Sequence, residues 1–214
     1  MSKQAILNSV KASLRHNALH TESVSYENPL KSQDSDKVAE FIAMQRANKA
    51  SVIESSPESL LADIRAALKE CGAKKVLCNR DLDLELDSLS TGCDCTLLPY
   101  EKSVDSMRGE LFNIDTALVQ AVCGVANLGI IGVASSPLAP RLSSLITKTC
   151  IVLLKKSDIV EHFFSGVERL KARATGGKLP TNMVFIAGPS RTADIELQTV
   201  FGVHGSLATY VIVY

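Results

Sequence analysis

From Thr116 to Pro140 the chain carries no charged residue. An apolar stretch of that length can cross a bilayer as a single helix. Gly124, Gly129, Gly132 and Pro137 argue against one, as do Gln120, Asn127 and two serines. Glycine and proline are the poorest residues for a helix interior, and valine and isoleucine cluster on both sides of the glycines. The stretch reads as two buried strands joined by a glycine loop, with no membrane span.

Short apolar runs elsewhere fit the same picture. Val76 to Cys78, Thr96 to Leu98, Ala117 to Val122, Ile130 to Ala134, Cys150 to Leu154, Met183 to Ala187 and Thr209 to Val213 read as strands. Helical spacing separates them. Residues 3–16 form an amphipathic helix through Ile6, Leu7, Val10 and Leu14, and residues 35–48 form a second. Ser56-Pro57-Glu58 marks a third start, with serine at the cap and proline at the first position. Leu60, Leu61, Ile64 and Leu68 carry its apolar face, and Gly72 ends it. Ser157 caps a fourth helix that carries Ile159, Phe163, Val167 and Leu170. Alternation of this kind predicts an α/β fold with a largely parallel sheet. The strands flanking residues 124–129 add some antiparallel pairing. Residues 1–33 read as an N-terminal helix and linker, and 34–214 as the α/β domain. The N-terminal helices form an arm that packs on this core or on a second copy, giving a homodimer.

A chain of 214 residues suits one such domain. Lys plus Arg number 23 and Asp plus Glu 23, so no basic excess steers the protein to nucleic acid or anionic lipid. There is no Trp for a base-stacking platform. Met1 to Arg15 lacks the apolar core of a secretory signal, which predicts a cytoplasmic protein with reduced thiols. The six cysteines lack the short repeated intervals of iron–sulfur ligation. Cys93 and Cys95 are a close pair with no third ligand near in sequence, so no metal is expected.

The densest chemistry lies near residue 190. The strand Met183 to Ala187 runs into Gly188-Pro189-Ser190-Arg191-Thr192-Ala193-Asp194-Ile195-Glu196, and Gly202-Val203-His204-Gly205 follows. A Gly-Pro turn lets backbone approach a ligand. Ser190 and Thr192 can cap a helix start, whose free N–H groups attract anions. Arg191 offers a fork that matches carboxylate or phosphate, or pairs with Asp194 or Glu196 in a capped turn. His204 can act as a base near neutral pH or can be held in its turn by a carbonyl. Asp194 and Glu196 are candidate acid–base groups. Their spacing keeps them off one helix face, and in a first turn they would stabilise the helix dipole. The loop from Gly124 to Gly129 either presents N–H groups to an anion or is a hairpin turn.

GPSRTADIE followed by GVHG resembles the signature of the lactate utilization protein C family, the LUD-domain proteins. A weaker resemblance extends back through Gly124-Val125-Ala126-Asn127-Leu128-Gly129 and Arg141-Leu142-Ser143-Ser144-Leu145. It implies a three-layer fold with a mostly parallel mixed sheet, like sugar-phosphate isomerases and CoA transferases. It also implies a part in oxidising L-lactate to pyruvate beside separate iron–sulfur subunits. The ligand-binding residues would be Gly124, Asn127, Gly129, Arg141, Gly188, Ser190, Arg191, Thr192, His204 and Gly205, around a small anion. The chain departs from the family pattern at Asn127 and Leu128, where an acid and Thr are usual. It departs again at Thr147 for Pro, Cys150 for His and Ser206 for Pro.

No Rossmann fingerprint, P-loop or cluster motif appears, so the chain is expected to hold no cofactor. Oxidation of a 2-hydroxy acid needs one. The chain is then a non-redox subunit of a lactate-oxidising system. Two alternatives are a transferase or isomerase acting on a CoA thioester or sugar phosphate, and an assembly module with a vestigial pocket.

Overall fold

The structure, a computed structural model, describes residues 2–16, 36–101, 104–193 and 198–214. Helix α1 (Lys3–His16) leads to α2 (Lys37–Ala47). Asp36 starts α2 by accepting the N–H groups of Val38 and Ala39, two donors that otherwise lack partners. Then come β1 (Ser51–Glu54), α3 (Leu60–Glu70), β2 (Lys75–Cys78), α4 (Leu86–Ser90), β3 (Thr96–Pro99), α5 (Val104–Leu111) and β4 (Thr116–Gln120). Strands β5 (Cys123–Val125), β6 (Ile130–Ala134), β7 (Thr149–Leu154) and β8 (Ile159–Val160) precede α6 (Phe163–Lys171). The chain continues through β9 (Met183–Ile186), β10 (Arg191–Thr192), β11 (Val200–Phe201) and β12 (Ala208–Val213).

Six strands build the central sheet in the order β1-β12-β7-β4-β2-β3, and every neighbouring pair is parallel. A parallel sheet needs cover on both faces, which explains its nearly continuous apolar strands. Alternate residues divide between two cores. Ile151, Leu153 and Ile212 meet α3 and α4 through Leu60, Ile64, Leu68 and Leu89. Cys150, Val152, Leu154, Val211 and Val213 face α2, α5 and the second sheet. This is the α/β architecture that the apolar runs predict.

The antiparallel pairing expected near residues 124–129 belongs to that second sheet, ordered β8-β5-β6-β9. β6 runs antiparallel to both β5 and β9. The run Ala117 to Val122, expected as one strand, is divided between the sheets. Ala121 donates its N–H to Leu153 in the central sheet, whereas Val122 donates to Gly132 in the second. The uncharged stretch thus becomes β4, β5, a 3-10 turn and β6. Among the described residues no helix is long and apolar enough to cross a membrane.

Two helix starts differ from expectation. Ser59, not Ser56, occupies the position before α3. Ser157 caps no α-helix, because Ile159 and Val160 pair with β5 as β8 and α6 begins at Phe163. Two branched residues at an open sheet edge are better placed in a strand than in a helical first turn. In α1 the apolar residues Ile6, Leu7, Val10 and Leu14 are exposed.

The glycine loop lies against α2. A Cβ at Gly124 would sit 2.8 Å from Leu154 Cδ2 and 2.9 Å from Phe41 Cε2. Gly129 has φ +54°, and a Cβ there would lie 2.5 Å from Met44 Cβ. Both positions exclude a side chain by contact, and Gly129 does so by conformation as well. Gly129→Ala is expected to destabilise the fold by about 2–4 kcal/mol, from left-handed strain plus overpacking. Urea unfolding measures this, and an unchanged midpoint would contradict the close approach of α2.

Candidate functional site

Strand β9 ends at Ile186, on the edge of the second sheet, and the chain turns through Ala187, Gly188 and Pro189. Gly188 has φ +71°, and a Cβ there would run into the carbonyl of Asn48. Ser190 then fastens the turn to the 202–206 loop. Its N–H donates to the Ser206 carbonyl at 2.9 Å, and its carbonyl accepts from Gly202 N–H at 2.8 Å. Its Oγ accepts from His204 N–H at 3.3 Å. β10 and β11 extend this link, with Arg191 opposite Phe201 and Thr192 opposite Val200.

The two loops wall a cavity of about 350 Å³. Gly188, Ser190, Arg191, His204 and Gly205 from the candidate set all line it. Its other wall comes from Cys150 and Thr209, at the amino ends of β7 and β12, and from Ser144 and Leu145. No Asp, Glu or Lys is among the described residues that line it. Ser206 is only 5% exposed, and its Oγ has no hydrogen-bond partner. Buried hydroxyls are ordinarily bonded, so this one keeps an unused donor among the described residues that line the cavity. Arg191 is exposed, and its side-chain contacts among the described residues are long, at 3.4 Å to the Asn48 carbonyl and 3.4 Å to its Oδ1.

Burial pushes the Cys150 thiol up to about 12. Where the family pattern often has His, this wall therefore offers a neutral, apolar group. Thr147, at the other departure nearby, is buried and donates to the Thr149 carbonyl at 2.8 Å.

The remaining candidates lie elsewhere. Thr192 sits in the β10–β11 pair, outside the cavity lining. Gly124 and Gly129 carry the packing of α2. Asn127 donates its N–H to the Glu161 carbonyl at 3.3 Å, and its buried Oδ1 has no hydrogen-bond partner. Arg141 lines two other cavities. Asp194 and Glu196 fall outside the described residues. The 124–129 loop therefore does not share this cavity with the 188 and 202 loops. Asn48 bridges them instead, its Nδ2 donating to the carbonyls of Leu128 and Gly129 at 2.9 Å each. Sequence reasoning missed this residue because an Asn at a helix end is ordinary. The chain turns sharply after it, with Lys49 at φ +71°. Among the described residues no three His, Cys, Asp or Glu side chains gather as metal ligands would.

A profile of the LUD domain matches residues 38–214. The chain belongs to the LUD domain family. It is 30% identical over 173 residues to an uncharacterized protein of Neisseria meningitidis, covering 79% of this chain and 73% of that protein. It is 36% identical over 90 residues to lactate utilization protein C of Shouchella clausii, covering 42% of this chain and 39% of that protein. The fold of this LUD domain is similar to a crystal structure of a DUF162 family protein from Deinococcus radiodurans. The TM-score is 0.62 at 21% identity, over 86% of this chain and 99% of that one.

All six cysteines are unpaired, and Cys78, Cys123 and Cys150 are buried. Burial raises them to about 12, 11 and 12 respectively, which suppresses the reactive thiolate. Burial raises Cys71 as well, and Cys95 to about 11, so access decides: a thiol reagent at pH 8 is expected to label only the half-buried Cys71, Cys93 and Cys95 in the native LUD domain, and all six in denaturant. Mass spectrometry after partial labelling reads the sites, and rapid native labelling of Cys150 would overturn the closed wall.

Proposed function

We propose that the cavity between the 188–191 turn and the 204–206 loop binds the carboxylate of a small 2-hydroxy or 2-oxo acid. On this reading the chain is a non-redox component of lactate utilization. The observation that carries it is the Arg191 fork and the unpartnered Ser206 hydroxyl on one cavity of suitable size. A guanidinium pairs with two carboxylate oxygens at once, and Ser206 Oγ can donate to a ligand oxygen. His204 stands on the same wall, so its imidazole can meet the 2-hydroxyl or 2-oxo group. The name lactate utilization protein C, carried by relatives aligned over part of their length, supports lactate or pyruvate as the acid.

Removing two electrons from lactate requires an acceptor that side chains do not supply. The proposal therefore assigns electron transfer to separate iron–sulfur subunits, with this chain binding substrate or product for them.

Titration of the protein with pyruvate and L-lactate tests the site. Arg191→Ala is expected to weaken binding by about 10- to 100-fold with the fold intact, since a charge-assisted pair contributes about 1.5–3 kcal/mol. Equal affinity in the variant would refute the carboxylate site. Lactate oxidation with an artificial electron acceptor tests the subunit role. Turnover is expected only when the iron–sulfur subunits are added, and robust turnover by the chain alone would refute it.

A further inference from the structure

A second cavity, of about 520 Å³, lies apart from the 188–191 turn. Three cationic side chains line it, and they come from three separate segments: Arg141 before β7, Arg173 after α6, and Lys178 before β9. No acid is among the described residues that line it. Among the described residues none of the three is in an ion pair. Like charges lining one space repel one another, and a bound anion relieves that repulsion.

The cluster is held in place. Gly176 and Gly177, both at positive φ, make a tight two-residue turn. Across it Thr175 and Lys178 exchange N–H···O bonds at 3.0 and 3.1 Å. The turn sets Thr175 and Lys178 on one cavity with Arg173. Opposite them, Ser135 Oγ is 3.0 Å from Thr181 Oγ1, so a pair of hydroxyls lines the same space. Pro137, Pro140 and Leu179 supply an apolar wall.

Beneath this cavity is a narrow one of about 20 Å³, which shares Ser135, Pro140 and Arg141 with it. Gln120, at the carboxyl end of β4, lines it. Gln120 is 8% exposed, and its Oε1 has no hydrogen-bond partner. Its Nε2 donates to the Leu153 carbonyl at 3.1 Å, so the amide is fixed with its Oε1 free to accept a hydroxyl of the ligand's organic part, not a phosphate oxygen. Asn79 joins it there, beyond the carboxyl end of β2. Open α/β sheets bind ligands outside the carboxyl ends of their strands; the narrow cavity lies there, and the cationic cavity adjoins it through Ser135, Pro140 and Arg141. Asp81 lies in an adjoining cavity with Arg173 and offsets only that one of the three charges.

We infer that Arg141, Arg173 and Lys178 form a second binding site, for the phosphate or pyrophosphate group of a small molecule. Forked guanidiniums and an ammonium around hydroxyl donors match a group with several charged oxygens, and the apolar wall leaves room for its organic part.

Calorimetric titration of the full chain with pyrophosphate tests this. Arg173→Ala and Lys178→Ala should each weaken binding about tenfold or more, and Arg191→Ala should leave it unchanged. Arg173 and Lys178 are exposed, so both variants keep the fold. In the Arg191→Ala variant, which lacks the carboxylate fork of the first cavity, citrate, of similar charge but without phosphorus, should bind at least about tenfold more weakly than pyrophosphate. Absence of binding at millimolar pyrophosphate would overturn the inference. Loss confined to Arg191→Ala would do the same, as would equal affinity for citrate. With citrate compared in Arg191→Ala, these outcomes are separate from whether the Arg191 cavity takes a carboxylate.

Discussion

The arrangement depends on how closely α2 can approach the glycine loop. Phe41 lies over Gly124, and Met44 lies over Gly129. Both contacts require backbone with no side chain. They bring α2 down between the central sheet and the second one, where Phe41 and Ile42 join the core shared by β4, β6, β7 and β12. The same approach fixes the carboxyl end of the helix. Asn48 is then within reach of Leu128 and Gly129 on one side and of Gly188 and Arg191 on the other. The turn that carries Arg191 is positioned by a helix more than a hundred residues earlier in the chain.

Much of the fold is legible in the sequence because a buried parallel strand has a simple signature, a short apolar run between breakers. Val76 to Cys78 and Cys150 to Leu154 are read directly. What a run does not state is which sheet it joins. Ala121 and Val122 are equally apolar, yet their N–H groups bond to different sheets. Ile159 and Val160 fit a helical spacing and a strand equally well, and only the open edge of β5 decides between them. At the candidate site, the density of Gly, Ser, Arg and His near residue 190 is visible, and those residues do gather on one cavity. The partners that shape it are not visible. Asn48 looks like any helix end, and the burial that leaves Ser206 Oγ unbonded is set by tertiary packing. The glycines at 124 and 129 look like an anion loop because glycine serves close approach of any kind, helix or ligand.

The protein is formally neutral, yet neutrality overall hides local segregation. The segment from Arg141 to Leu145 runs between two cavities, and Ser144 lines both the one with Arg191 and the narrow one with Gln120. Its 3-10 turn is pinned by Ser143, whose Oγ hydroxyl bonds to buried Asn79 and to the Pro140 carbonyl. A shift of this short segment would be felt at both places. That is a physical route for coupling, provided the segment has two arrangements of similar energy.

The strand order carries one more consequence, for how the chain folds. β12 lies between β1 and β7, so the sheet joins Ser51 to Tyr210 and Ala208 to Thr149. In a chain made from its amino end, β1 and β7 are finished well before the strand that separates them. Until β12 arrives, both keep unpaired edges and uncovered apolar faces, the exposure that favours association between unfinished chains. Contacts so distant in sequence also form slowly. The native sheet therefore closes late, and chaperones that shield nascent apolar surface are expected to matter more to the yield of this protein than to its final stability.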